Sequence, residues 1–436
     1  MKTIIMAGGK GSRIASVASD VPKPMIKIGG KPILEYQINN LRECGLTDIV
    51  LVIGHLGNVI KDYFGDGTEF GVSIQYFVED HPLGTAGALF KMTDLGESFL
   101  LLCGDLLIDV DFVRFIQFHK QTNALASLLT HPNNHPYDSS LLMTEILSPF
   151  ESAGLPVDTH KVTQWANKED TREYYHNRVN AGIEIISSEL IALVKANFVP
   201  RHPEAPDKVD LDRDVLKPYI SNGRIFAYDT SEYVKDMGTP DRYVEAEHDL
   251  ATGKVHARNL TAKQKAIFLD RDGVINTTNG FLTHHDQFEL IEGVADAVMK
   301  INHSGYLCIV VTNQPIIARG ECSFDELKLI HDKMETELGK AGAFVDGIYV
   351  CPHHPDKGFV GERLEYKIVC DCRKPKPGLL LRAAEDFNID LSKSVMIGDS
   401  TKDVEAGYNA GVKKSILIDS NTPGALLLAV NSVIVP

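Results

Sequence analysis

The stretch IFLDRDGVIN (267–276) decides how the carboxyl-terminal half of this chain is read. An apolar run ending at Leu269 meets Asp270, Asp272 and Gly273, the pattern of a buried strand whose carboxyl end carries acids. On an extended chain, side chains two apart point the same way, so both carboxylates can address one place. Outward from this point the rhythm repeats. YLCIVVTNQ (306–314), IYVCPHH (348–354), SVMIGD (394–399) and SILID (415–419) are short apolar runs that end in polar residues. Strands of this kind separated by helical stretches predict a parallel α/β sheet with its ligand site at the strands' carboxyl ends.

Toward the amino terminus a second series alternates strand and helix: TIIMAGG (3–9), ILEYQINNLRECG (33–45), DIVLVIG (48–54), NVIKDYFG (58–65) and SIQYFVE (73–79). Between the two series, a charged helical stretch and the polar ATGKVHARNLTAKQKA (251–266) lack an apolar period. The reading is therefore an α/β protein of two domains, 1–240 and 265–436, joined by a linker over 241–264. A length of 436 residues with 44% hydrophobic content suits two cores better than one. The stretch from His131 to Arg178, with its polar run KEDTREYYHNR (168–178), reads as substrate loops.

A net charge of −15 and a pI near 5.5 exclude an electrostatic grip on nucleic acid or an anionic membrane. No stretch reaches the roughly 20 apolar residues of a membrane span. The chain runs straight into a strand-like IIMAGG, so a cytoplasmic location is expected. Of seven cysteines, Cys351, Cys370 and Cys372 crowd beside CPHH (351–354), a pattern for a metal rather than for disulfides. The remaining Cys44, Cys103, Cys308 and Cys322 read as ordinary residues of a reduced protein.

In the second domain the residues suit phosphoryl chemistry. Asp270 can attack phosphorus to form an aspartyl phosphate while Asp272 gives and takes the proton, which splits hydrolysis into two easier steps. Two acids facing a phosphate require a cation, and Mg²⁺ held by Asp270, Asp272 and Asp399 is expected. Thr312 and Asn313 offer donors to phosphoryl oxygens, and Lys374 offers charge. These four blocks, in this order, resemble the haloacid-dehalogenase (HAD) superfamily. CPHH and CDC (370–372) narrow the resemblance to the D,D-heptose bisphosphate phosphatases and their histidinol-phosphatase relatives. A Cys-x-His plus Cys-x-Cys set suits tetrahedral, closed and hence structural Zn²⁺ on Cys351, His353, Cys370 and Cys372, with His354 as the competitor for the imidazole position. The resemblance covers about 265–420 and implies that Arg373 reads the distal part of the substrate. Within VTNQPIIARG (311–320), Ile316 stands where that family usually has glycine.

The first domain opens with IIMAGGKGSR (4–13), a strand and a glycine-rich turn whose amides can approach a triphosphate through Gly8, Gly9, Gly11 and Ser12, with Arg13 to neutralise it. VPKPM (21–25) holds Lys23 stiffly between prolines, and YFVEDHPLGTAGAL (76–89) places Gly84 and Thr85 in a turn suited to a base edge. LLCGDLLID (101–109) ends a strand near Asp105. With VNAGIEII (179–186) and YVKDMGTPDRY (233–243), these blocks resemble the sugar-1-phosphate nucleotidyltransferases, which have a Rossmann-like, GT-A-like sheet. The resemblance implies Asp105 and Asp236 as Mg²⁺ ligands and Arg13 and Lys23 on the triphosphate. It also implies Asn180, Ala181 and Gly182 along the sugar pocket, and Lys168 either on the acceptor phosphate or as a solvated surface lysine. FGDG (64–67), the 78–89 turn and HPYDSS (135–140) are most similar to the D-glycero-α-D-manno-heptose 1-phosphate guanylyltransferase branch.

Side by side, the resemblances imply a bifunctional enzyme of GDP-D-glycero-α-D-manno-heptose synthesis. The substrates would be heptose 1,7-bisphosphate, heptose 1-phosphate and GTP; the metals would be Mg²⁺ in both domains and Zn²⁺ in the second. Alternatives are the same pair of reactions on another sugar 1-phosphate such as mannose, or with UTP or CTP, and a sugar-nucleotide sensor with one inactive domain. Oligomeric state has no signature in the sequence.

Overall fold

The computed structural model describes residues 1–8, 21–147 and 157–434. It divides into two compact units: Met1–Thr130 with Lys161–Gln164 and Asn180–Asn259, and His131–His160 with Trp165–Val179 and Leu260–Pro436.

In the first unit the strand Lys2–Met6 lies parallel between Asp48–Ile53 and Ser98–Cys103, with Ile5 opposite both Leu51 and Leu102. Ser73–Val78 extends the sheet in parallel beyond Asp48–Ile53, and Val179–Ser187 adds antiparallel to Ser98–Cys103. The central strands are near-continuous apolar runs, buried on both faces. Helices Ile33–Glu43 and Phe112–Thr122 supply buried Leu34, Ile38, Leu41 and Phe115 to the core. The second of these helices is fixed at its start by Asp111, whose carboxylate accepts from the amides of Val113 and Arg114. A small antiparallel pair, Leu106–Asp109 with Tyr233–Asp236, sets Asp236 opposite Leu106 and so next to Asp105.

The stretch 241–264 is not an open linker. Thr239 caps a helix over Pro240–Ala251, a short helix Lys254–Ala257 follows, and Ala246 and Val255 are buried with Tyr233 and Met237. The apolar positions are few but fall on one side, which suffices to hold the helix down despite its charge.

The second unit has a five-stranded parallel sheet in the order Gly347–Cys351, Tyr306–Asn313, Lys265–Leu269, Val395–Gly398, Lys414–Leu417. One face is packed by Val294–Asn302, Phe324–Lys340 and Ala425–Asn431, the other by Gly378–Asp386 and Thr401–Ala410. The 131–178 stretch, expected as substrate loops, holds the strands Leu141–Leu147 and Val157–Ala166, and its last residues are built into this unit. The amide of Tyr175 donates to Thr336 Oγ1 at 3.0 Å, and Arg178 Nη1 donates to Glu335 Oε1 at 3.2 Å.

Candidate functional sites

The central strand Lys265–Leu269 delivers Asp270 at its tip, where the Asp270 amide donates to Ile397 O at 3.0 Å. Lys374 is buried beside it. Its ammonium lies 2.9 Å from Asp270 Oδ1 and 2.6 Å from Asp403 Oδ1, and donates to Val311 O at 2.7 Å. Burial disfavours the charge on Lys374, but the two carboxylates outweigh it and raise its pKa. Asp270 is pushed up to about 6, by burial first, with Lys374 pulling it down and Asp403 pushing it further up.

Carboxylate oxygens of Asp270, Asp399 and Asp403 lie within 4.8 Å of one another, a set of hard oxygen donors that fits Mg²⁺. The loop is shaped around them. A Cβ on Gly273, whose φ is +81°, would stand 2.1 Å from Asp399 Oδ2, and one on Gly398 would stand 2.2 Å from the Asp403 Cβ. Asp403 was not singled out in the sequence; it lies four residues after Asp399, in the first turn of the helix Thr401–Ala410.

Asp272, expected with the metal ligands, stands outside that cluster. Its carboxylate accepts from Arg271 Nη2 at 2.8 Å, Gln314 Nε2 at 2.8 Å and Asn276 Nδ2 at 3.1 Å. Burial would raise its pKa, but Arg271 and these donors hold it below the usual carboxylate value. The Thr312 hydroxyl is buried and accepts from Gln314 Nε2 at 2.9 Å. Asn313 is turned to the backbone of Lys374, accepting from its amide and donating to its carbonyl, both at 3.0 Å, so its side chain fixes the lysine loop.

Cys351, His353, Cys370 and Cys372 bring their ligand atoms together. Sulfur to sulfur separations are 3.1, 3.2 and 3.7 Å, and His353 Nδ1 lies 3.3 Å from Cys372 Sγ. A tetrahedral zinc with bonds near ~2.3 Å sets its sulfurs about 3.8 Å apart, so the set fits that metal after slight expansion. His354 is outside the cluster; its Nδ1 lies 3.3 Å from Asp356 O. Arg373 Nη1 donates to His353 O at 3.1 Å, which ties the loop carrying Arg373 and Lys374 to the clasp.

In the first unit, Lys23 sits in the turn Lys23–Met25 with Nζ 3.0 Å from Asp105 Oδ2. Asp236 Oδ1 accepts from Arg242 Nη1 at 2.7 Å and from the Gly238 amide at 2.9 Å. The Met237 amide donates to Asp105 O at 3.0 Å and locks the two acids' backbones together. Gly84 has φ +81°, and a Cβ there would stand 2.4 Å from Val209 O. Thr85 Oγ1 accepts from the Leu211 amide at 2.7 Å, so this turn is stitched to 209–211.

Asn180 Nδ2 donates to Glu184 Oε1 at 3.2 Å, and Asn180 Oδ1 accepts from the Gly182 amide at 3.4 Å. Ala181 is buried beside them. Glu184, which sequence reading passed over, is pushed up to about 8 by burial and by Asp212. Gly8 is at the tip of the first strand, where a Cβ would stand 2.9 Å from Glu79 Oε2. Gly9, Gly11, Ser12 and Arg13 lie outside the described residues. Lys168 belongs to the second unit, where its half-exposed ammonium lies 3.6 Å from Asp138.

No helix among the described residues is long and apolar enough to cross a membrane. Residues 2–253 match the nucleotidyl transferase family model, and residues 371–428 match a HAD-hydrolase-like model. The D-glycero-β-D-manno-heptose-1,7-bisphosphate 7-phosphatase of Pasteurella multocida is 44% identical over 161 residues, 37% of this chain and 84% of the relative. The enzyme of the same name from Escherichia coli K12 is 42% identical over 158 residues, 36% of this chain and 81% of the relative. Among solved structures, HddC of Yersinia pseudotuberculosis complexed with GMP-PN is 24% identical with a TM-score of 0.45, covering 57% of this chain and 99% of that one; the likeness is too distant to carry an argument. The chain belongs to the nucleotidyl transferase family through residues 2–253 and, through its carboxyl-terminal part, to the HAD-type phosphatases that include these heptose bisphosphate 7-phosphatases.

Proposed function

We propose that the protein removes the 7-phosphate from D-glycero-α-D-manno-heptose 1,7-bisphosphate and then transfers GMP from GTP to the resulting heptose 1-phosphate. The observation that carries this reading is the pairing within one chain. The phosphatase relatives act, by name, at position 7 of a heptose 1,7-bisphosphate, and that reaction leaves the anomeric phosphate that a sugar nucleotidyltransferase consumes. The relatives' names carry the β anomer, so the α assignment rests on the transferase half alone.

In the phosphatase unit, a carboxylate oxygen of Asp270 attacks the phosphorus of the 7-phosphate. The bond from phosphorus to the sugar oxygen breaks, and Asp272 supplies the proton to the departing oxygen. Water then attacks the aspartyl phosphate, Asp272 takes its proton, and inorganic phosphate leaves with Asp270 restored. Asp272 enters the first step carrying the proton it gives up; the donors gathered on it then stabilise the resulting anion, the state required to accept the proton from water. Lys374 offsets charge between Asp270 and Asp403. A magnesium ion held by Asp270, Asp399 and Asp403 would neutralise the transferred phosphoryl group. Zinc on the clasp would be structural, and Arg373, tied to His353 O, would reach the far end of the sugar.

In the transferase unit, an oxygen of the sugar 1-phosphate attacks the α-phosphorus of GTP and pyrophosphate leaves. The nucleophile is already ionised, so the protein's part is positioning and charge neutralisation. Lys23 lies against Asp105 where it can serve the phosphates, and Asp105 and Asp236 present oxygens suited to magnesium. Arg13 and the glycine turn are assigned to the triphosphate from sequence alone. Asn180, Ala181 and Gly182, with buried Glu184 beside them, are assigned to the sugar, and Gly84 and Thr85 to the base.

The test supplies each anomer of the bisphosphate with Mg²⁺ and each nucleoside triphosphate in turn, and identifies products by mass. GDP-heptose from the α anomer with GTP is expected. A UDP-, CDP- or ADP-sugar, or product from the β anomer only, overturns the specific assignment.

A further inference from the structure

Arg271, between the two motif aspartates, is fully buried. Nε and Nη2 donate to Asp272 Oδ1 at 3.0 and 2.8 Å, Nη2 also reaches Asp272 Oδ2 at 2.9 Å, and Nη1 lies 3.1 Å from His331 Nε2. A guanidinium has donors only, so across this last bond the imidazole nitrogen must present its lone pair. Burial and the charge of Arg271 push the His331 pKa down to about 3, in keeping with a neutral acceptor. His331 is therefore the second anchor of a fork whose other prongs grip Asp272.

The anchor is itself held. His331 sits on the helix Phe324–Lys340, and Glu335 lies one turn further along it. Glu335 lies 2.7 Å from His176 Nδ1 and accepts from Arg178 Nη1 at 3.2 Å, while Arg178 Nη2 donates to Asp346 O at 3.2 Å. The helix is thus clamped beside His331, and the bond from His331 runs inward to the residue that follows the nucleophile.

We propose that His331 is a positioning residue of the phosphatase: by fixing the free edge of the Arg271 guanidinium it sets the direction of the Asp272 carboxylate toward the oxygen with which it exchanges a proton. Gln314 and Asn276 also donate to that carboxylate, but a guanidinium without its second anchor can still tilt together with it about these contacts, whereas one held at both ends cannot. Displacing a reacting group by about 1 Å costs on the order of 100-fold in rate. His331 touches no substrate in this account, so its loss acts on turnover and not on binding.

The test uses the full chain with Mg²⁺ and zinc, comparing His331→Leu, His331→Gln and His331→Asn by steady-state phosphate release, melting temperature and nucleotide-sugar formation. His331→Leu is expected to lower kcat roughly 10- to 100-fold with KM within about twofold of wild type. His331→Gln, whose amide oxygen can reach Arg271, is expected to recover most of that loss, and nucleotide-sugar formation from heptose 1-phosphate should not change. Wild-type kcat in His331→Leu overturns the proposal, as does equal impairment of Leu and Gln variants that melt like wild type. Should His331→Leu fold poorly, the Gln and Asn variants make the same comparison: the longer side chain is expected to be the more active, and equal kcat values overturn the proposal. The inference rests on the phosphatase reading. If wild type leaves the heptose bisphosphate untouched, the substrate assignment fails by itself and the variants are compared on the phosphomonoester that wild type does hydrolyse.

Discussion

Lys374 carries a concentrated electrostatic load in the phosphatase unit, because its ammonium is the shared partner of Asp270 and Asp403. Lys374→Ala is expected to leave those acids facing each other without a cation and to destabilise this unit by about 3–5 kcal/mol, measured by urea unfolding of metal-free protein. Asp270→Asn keeps an acceptor for Lys374 but has no nucleophile. It should fold normally and lose phosphate release on the order of 10³-fold or more. In the transferase unit Glu184 titrates abnormally, and the sign follows from its raised pKa. A carboxyl pushed up to about 8 is stable in the fold while neutral, so its contribution is complete below the ordinary value near 4.5 and is lost as pH rises through 8. Glu184→Gln should therefore melt increasingly above wild type between pH 5 and pH 9. A constant difference across that range would show that Glu184 does not titrate in the fold.

At the scale of elements, the clasp and the clamped helix make separate predictions. Arg373 is bonded to His353 O, and Lys374 follows it directly, so the clasp sets the loop that carries both. Cys372→Ser is expected to bind less zinc and to lose phosphatase activity while leaving nucleotidyl transfer intact; normal zinc content and activity would contradict this. On the helix Phe324–Lys340, burial would raise the Glu335 pKa, but His176 and Arg178 hold it down to about 2. That stabilisation is present above the ordinary glutamate value and is lost as pH falls toward 2. A shift of this size corresponds to about 3 kcal/mol. Glu335→Gln should accordingly melt below wild type at pH 7, with the gap narrowing as pH falls below the ordinary glutamate value and closing only toward pH 2. A gap that persists at acid pH would place the effect in packing instead.

These elements also show where sequence reading stops. The DRD strand tip, the paired cysteine motifs and Lys374 were legible because their chemistry is set by spacing within a few residues. Asp403 lies four residues past the quoted SVMIGD, and only the helix turn shows that it shares a site with Asp270 and Asp399. Asp272 pointed the right way along the strand, yet its partners Gln314 and Arg271 decide its surroundings, and Gln314 stands just past the end of another strand. The segment His131–Arg178 looked like loops because the groups that hold its end, the Tyr175 amide and the Arg178 guanidinium, find partners on a helix more than 150 residues away in the chain, at separations of 161 and 157 residues. The supposed linker was misread because a charged surface hid the few apolar residues that pack it.

For the molecule as a whole, two families in one chain predict separable activities. Lys23 lies against Asp105 in the first unit, and Lys23→Ala should stop nucleotide-sugar formation while phosphate release from the bisphosphate continues at the wild-type rate. The most direct test of the central claim is a single reaction in which the full chain receives α-heptose 1,7-bisphosphate, GTP and Mg²⁺, with released phosphate and nucleotide sugar followed together. One phosphate per GDP-heptose is predicted for wild type, phosphate alone for Lys23→Ala, and neither product for Asp270→Asn until heptose 1-phosphate is added. GDP-linked product formed by Asp270→Asn directly from the bisphosphate, or no GDP-heptose from wild type, would contradict the account.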